Sequence, residues 1–193
     1  MCRMRPALFA IALTTAVVAC SSPSSPSGSG STLNIMLKDS PFSDAKALLV
    51  TFSEVSAHIS GTGGFTPLPF SGSPAPTSRT CDLKKLAAAT DILGTGSLTA
   101  GHYTQIRLTV SSAILDFDSP SSGAACQNSI TPAGKNTANV TIPSGQVILN
   151  REFDVTSAGA TTITVDFDGD QSVHAQGNGQ YNMTPVISVV SVN

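Results

Sequence analysis

Hydrophobic and polar positions alternate with a period of two along most of the chain after residue 31. Leu33, Ile35 and Leu37 are interleaved with Asn34, Met36 and Lys38. In an extended chain successive side chains point to opposite faces, so this spacing predicts a half-buried strand. A turn at Asp39-Ser40-Pro41 separates it from a second strand over Ala47–Ile59. There Leu49, Thr51, Ser53, Val55, Ala57 and Ile59 are expected on one face and Leu48, Val50, Phe52 and Glu54 on the other. Its first half is apolar on both faces, which predicts a central place in a sheet. Gly61 to Gly64 turn the chain, and residues 65–70 form a short edge piece because Pro67 and Pro69 cannot donate ladder hydrogen bonds.

One helix is expected over residues 82–90, where Leu83, Leu86 and Ala87 repeat at helical spacing, Asp82 caps the first turn, and Gly94 and Gly96 end it. Further strands are predicted at 103–110, 113–117, 138–142, 147–155 and 161–167. A last pair, 172–176 and 181–190, flanks Gly177-Asn178-Gly179, and the Asn-Gly step is a strong hairpin signal. Short strands at this spacing with one short helix predict a mainly β chain. The expected fold is an antiparallel β-sandwich of the immunoglobulin or transthyretin-like kind.

The first residues follow another pattern. Arg3 and Arg5 precede an apolar run over 7–19 that ends in Val17-Val18-Ala19-Cys20. Spanning the hydrocarbon of a bilayer takes about 20 apolar residues, so this run reads as a signal peptide and not as a retained membrane helix. Its end resembles the lipobox of bacterial lipoproteins, in which the cysteine receives diacylglycerol and becomes the first residue after cleavage. An ordinary cleaved signal peptide with an incidental cysteine is the other reading. Residues 21–31 are all Ser, Pro or Gly and have no apolar surface to bury, which makes them a tether. The expected organisation is a signal peptide over 1–19, lipidated Cys20 with its tether over 20–31, and one β-sandwich domain over 32–193. Ser21, where the enteric sorting rule would look for an acidic residue, points to the outer membrane or cell surface.

An exported chain changes the cysteine arithmetic. Of the 4 cysteines, Cys2 leaves with the signal peptide and Cys20 is modified. Cys81 and Cys126 remain in a compartment that permits oxidation, and a disulfide between them is expected against the alternative of two thiols that never meet. Composition narrows the partners. The chain has 12 acidic residues against 10 basic ones, two of which are Arg3 and Arg5, and it contains no basic run. Nucleic acid is therefore not an expected partner. With no Trp and 2 Tyr, a sugar groove built on stacked rings has little material.

Motifs for catalysis are missing: no Gly-x-Ser-x-Gly elbow, His-Glu-x-x-His, Cys-x-x-Cys or phosphate loop occurs. His58, His102 and His174 have no carboxylate or cysteine beside them at ligand spacing and read as ordinary surface or hydrogen-bonded side chains. The aspartates are more suggestive. Asp116 and Asp118 flank Phe117, while Asp166, Asp168 and Asp170 alternate with Phe167 and Gly169. In extended chain each set projects to one side with its phenylalanine toward the core. If the two strand ends were neighbours, these carboxylates would form a hard-oxygen site for Ca²⁺. The plain alternative is a solvated acidic face. The second segment departs from an EF-hand loop at Gln171 and Gly177.

Several segments together carry a resemblance. They are Leu37-Lys38-Asp39-Ser40-Pro41, Val50-Thr51-Phe52-Ser53-Glu54-Val55, Ala100-Gly101-His102-Tyr103-Thr104-Gln105-Ile106-Arg107-Leu108, Val165-Asp166-Phe167-Asp168, Gly177-Asn178-Gly179-Gln180-Tyr181 and Pro185-Val186-Ile187. In these the chain resembles the bacterial and archaeal family called domain of unknown function 4382, over nearly all of the expected mature chain. The resemblance implies an exported, often lipid-anchored, single β-rich domain, and it carries over no activity. Residues 119–135, with Cys126, depart from the family's compact form. The Ala100-Gly101-His102-Tyr103 turn is similar to one in transthyretin-like and collagen-binding sandwich modules.

The expected function is a lipid-anchored, non-enzymatic binding or structural module of the cell envelope, with a protein or polysaccharide partner and no cofactor unless the aspartates bind Ca²⁺. The alternatives are a hydrolase of envelope polymers using those aspartates and a calcium-stabilised adhesion-like module.

Overall fold

The computed structural model of the chain describes residues 31–193 except Pro41 and Thr62. Cys20, the segment before it and most of the tether lie outside the described residues.

In chain order the strands are β1 (Ser31–Ser40), β2 (Ala47–Ile59), β3 (Phe65–Leu68), β4 (Arg79–Asp82), β5 (Asp91–Leu98), β6 (Gly101–Asp116) and β7 (Cys126–Gln127). They continue with β8 (Thr137–Thr141), β9 (Gln146–Val155), β10 (Ala160–Asp168), β11 (Val173–Gly177), β12 (Gln180–Met183) and β13 (Ile187–Val192). Two single-turn helices interrupt them, α1 (Leu83–Leu86) and α2 (Gly169–Ser172). The smaller sheet runs β13-β10-β1-β5, and the larger runs β11-β12-β8-β6-β2-β4-β7 with β3 on β2 and β9 on β6. Leu33, Ile35 and Leu37 of β1 and Ile163, Val165 and Phe167 of β10 join Phe52, Val55 and Ile106 of the larger sheet in one buried cluster. The chain is thus the expected mainly β, sandwich-like fold. Most pairings are antiparallel, but β1 runs parallel to β10 and β12 parallel to β8.

Several local expectations change in the structure, each for a physical reason. Predicted strands 103–110 and 113–117 are one strand, β6, of 16 residues. Ser112 pairs with Thr51 and Val110 with Phe52, leaving Ser111 as an extra residue. A bulge of this kind resets the alternation without ending the strand. A second bulge at Ser53 exchanges the faces of β2. Leu48, Val50 and Phe52 point into the core before it, and Val55 and Ala57 after it, so the inward face takes residues from both of the expected sets. The central place of β2, between β6 and β4, and the edge position of β3 are as predicted.

The expected helix over 82–90 is a single turn, α1, with Asp82 accepting the Lys84 amide at 3.1 Å as its cap. Residues 91–98 are not its aftermath but strand β5, antiparallel to β1. Gly94 and Gly96 serve close approach there: a Cβ at Gly96 would meet Pro69 Cδ at 3.0 Å and Leu68 Cδ2 at 3.1 Å. Predicted strand 181–190 divides between the sheets, because the chain leaves the ladder around Pro185, which has no amide to donate. The hairpin holds as expected. Gly177 pairs with Gln180 across Asn178 (φ 53°) and Gly179 (φ 72°), the left-handed pair that a two-residue turn of type I′ requires.

Cys81 in β4 lies opposite Cys126 in β7, and the two form a disulfide. The bridge fastens segment 119–135 to the edge of the larger sheet. Among the described residues no helix is long and apolar enough to cross a membrane.

Candidate functional site

Asp116 closes β6 and is fully buried. Its Oδ1 accepts the amides of Asp118 and Ser119 at 3.0 Å each, and its Oδ2 accepts that of Gly134 at 2.7 Å. Burial alone would raise its pKa, but the amides of Gly134, Ser119, Asp118 and Ala133 hold the carboxyl below its ordinary value. Asp118 accepts the amides of Lys135 at 3.1 Å and Asn136 at 2.8 Å on Oδ2. These two carboxylates fasten the loop that returns from the disulfide segment to β8. Phe117 between them packs toward the core beside Tyr181, with ring centroids 5.6 Å apart.

The second group sits on the other sheet. Asp166 Oδ2 meets Lys38 Nζ at 3.2 Å across the β1–β10 pair. Asp168 caps α2, accepting the Gln171 amide at 2.9 Å and its side-chain Nε2 at 2.6 Å. Asp170 accepts the Ser43 amide at 2.8 Å. Among the described residues no three His, Cys, Asp or Glu side chains gather as metal ligands. The five aspartates therefore have separate tasks in the two sheets.

Sequence reasoning missed Asp39, which it took for a turn residue. Asp39 continues the inward column of Leu33, Ile35 and Leu37 at the end of β1 and is 5% exposed. Its carboxyl oxygens have no side-chain partner among the described residues, the Gly169 amide being the donor beside them, and Asp166 Oδ1 is likewise buried without a partner. Burial pushes the Asp39 pKa up to about 8; the charges of Asp166 and Asp168 add to the rise, while the Gly169 amide and Lys84 oppose it. The signal was present as strand parity, since counting by twos from Leu33 places Asp39 inside.

The histidines are held individually. His102 Nδ1 lies 2.8 Å from Asp154 Oδ1 on the paired strand β9, both exposed. His58 Nδ1 lies 3.1 Å from Thr104 Oγ1, and its ring is tilted against Phe65. Beside it Arg107 pairs with Glu54 at 2.6 Å and stands 4.2 Å over the Phe65 ring. Hydrogen bonds from Arg107 and Ser56 keep the Glu54 carboxyl below its ordinary value. His174 is exposed on β11.

A groove of about 450 Å³ opens between the β8–β9 connection and the β12–β13 connection, lined by Pro143, Ser144, Gln146, Val147, Ile148, Met183, Thr184 and Pro185. None of these side chains titrates, so the groove offers shape and apolar contact without an acid or base.

Neither the curated proteins nor the solved structures contain a match to this chain. The sequence model of the family described as "Domain of unknown function (DUF4382)" matches residues 30–185, a span that begins beside β1 and ends between β12 and β13 and so takes in both sheets. The chain belongs to this DUF4382 family.

Proposed function

We propose that this protein is an exported lipoprotein, anchored to the outer membrane or cell surface through Cys20, whose β-sandwich is a non-catalytic binding or structural module of the envelope. The observation that carries the reading is Val17-Val18-Ala19-Cys20 at the end of a short apolar run, followed by a Ser/Pro/Gly tether. More than one acyl chain on Cys20 gives stable anchoring, at about 0.8 kcal/mol per buried methylene. The geometry of the domain is in keeping with such a role. Asp116, Asp118 and Asp168 are committed to backbone amides, and the groove beside Pro143 and Pro185 is lined by neutral side chains. A hydrolytic pair, by contrast, needs two convergent titratable groups in a cleft. A protein or polysaccharide of the envelope is the partner that suits this surface.

The test is metabolic labelling with a tagged fatty acid, followed by fractionation. The wild-type chain is expected to carry label and to sediment with membranes, whereas Cys20→Ala carries none and leaves the membrane fraction. An unlabelled wild type, or equal labelling of the variant, would end this reading.

A further inference from the structure

We propose that a furrow running along β8–β9 and β12–β13 binds a linear, uncharged polysaccharide as an extended chain. The inference rests on the reading of the domain as a binding module and names the class of its partner. The groove of about 450 Å³ beside Pro143 and Pro185 does not stand alone. It shares Pro143 with a depression of about 270 Å³ over β8, β11 and β12, which shares Tyr181 with another of about 250 Å³ beside Phe117. In the other direction it shares Ile148 with a depression of about 390 Å³ between β9 and β13. The order follows the chain on both banks. Apart from Phe117 and Gln176, one bank is drawn from residues 136–151 and the other from residues 179–189, a length that extended chain covers in at most about 40 Å.

The chemistry of the walls selects the ligand. Among the described residues lining these depressions there is no Asp, Glu, Lys or His, and the single charge is Arg151, at one end. The side-chain amides of Asn136, Gln146, Gln176, Gln180 and Asn182 each donate and accept, as sugar hydroxyls do. Pro143, Pro185 and Ile148, the last 48% exposed, add apolar surface. Recognition of this kind runs through hydrogen bonds and needs few aromatic rings. An acidic polymer would bring repeated charges to one guanidinium. An extended peptide would instead add to an open strand edge, and both edges here are broken. On β13 Val190 is an extra residue between the pairs Thr164–Ser191 and Val165–Val189, and on β9 Arg151 and Glu152 together stand opposite Thr104. Bulges of this kind interrupt a ladder and protect an edge from a further strand.

The experiment is calorimetric titration of the full chain, in a detergent without a sugar headgroup, with neutral disaccharides and hexasaccharides of glucose, mannose, xylose and N-acetylglucosamine. Hexagalacturonate is the charged control, and a random peptide display library is screened beside them. The wild type is expected to bind at least one neutral series, the hexasaccharide more tightly than the disaccharide, to ignore hexagalacturonate and to enrich no peptide. Gln176→Ala combined with Gln180→Ala, both exposed side chains, weakens that binding about tenfold, as two lost neutral hydrogen bonds would. Ile148→Arg, which blocks the middle of the furrow, weakens the hexasaccharide most, and Ile92→Arg, an exposed change on β5, leaves it unchanged. Binding of none of the neutral series, equal binding of hexagalacturonate, or a titration unchanged in both furrow variants overturns the proposal. Enriched peptides that Ile148→Arg no longer holds, with no glycan bound, overturn it in favour of a protein partner. Labelling of Cys20 is a separate readout: a labelled chain that binds no glycan ends this inference alone, and an unlabelled chain that binds one ends only the anchor.

Discussion

The amide of Gly134 donates to Asp116 Oδ2 at 2.7 Å, and a Cβ built on Gly134 would collide with Asp116 Oδ1. The two residues lock together, one supplying charge and the other the absence of a side chain. Asp116→Ala leaves several amides without their acceptor, and hydrogen bonds to a charged group are worth about 1.5–3 kcal/mol each. The variant is expected to lose about 3 kcal/mol or more in urea unfolding at neutral pH. Gly134→Ala shifts the midpoint in the same direction, and a midpoint unchanged in both would remove Asp116 from this role.

Acid should act on the same carboxyl. Its folded pKa lies below the ordinary value of 3.8, so the unfolded chain takes up the proton first. The stability it contributes is complete above that ordinary value and is lost as pH falls through the folded one. Melting temperatures of the wild type measured below about pH 4 should fall more steeply than those of Asp116→Asn.

Asp39 has the opposite sign. Its pKa rises from 3.8 to about 8 on folding, so the folded chain holds the proton that the unfolded chain releases. Stability should decline as pH climbs from the lower value to the upper, with a slope of at most about 1.4 kcal/mol per pH unit. Asp39→Asn is expected to flatten that decline. Parallel slopes for the two proteins would contradict the burial of an ionisable group at this position.

The disulfide joins residues 45 apart in sequence. A closed loop of that length stabilises by about 4 kcal/mol on the chain-entropy account. The double change Cys81→Ala, Cys126→Ala should lower stability by an amount of this order, and a reductant should do the same to the wild type alone.

At the tip of the β11–β12 hairpin, Asn178 holds φ 53°. Replacing it with valine forces a β-branched residue into the left-handed region, at roughly 1–2 kcal/mol. A drop of a few degrees in Tm is the expected readout, and none is expected for a change to glycine.

Much of this architecture was legible from residues alone because it depends on near neighbours in sequence. Alternation by two marked β1, β2 and β10, and the Asn178-Gly179 step marked a turn whose dihedrals are local. The bulges at Ser53 and Ser111 were not legible, since a slip in alternation looks the same whether the strand ends or absorbs an extra residue against its partner. Gly94 and Gly96 misled for a related reason: glycine ends helices, but here it lets Leu68 and Pro69 pack closely over β5.

The candidate sites divide along the same line. By itself the sequence determined the mainly β class, the family, and which carboxylates had an alternating neighbour. Only the tertiary structure decided what those carboxylates do. Asp116 is occupied by amides from a loop 18 residues away, and Asp39 is buried at the end of a strand whose parallel neighbour, β10, comes more than a hundred residues later in the chain. A carboxyl's partners and its burial are set by whichever strand folds beside it, and no local pattern encodes that neighbour.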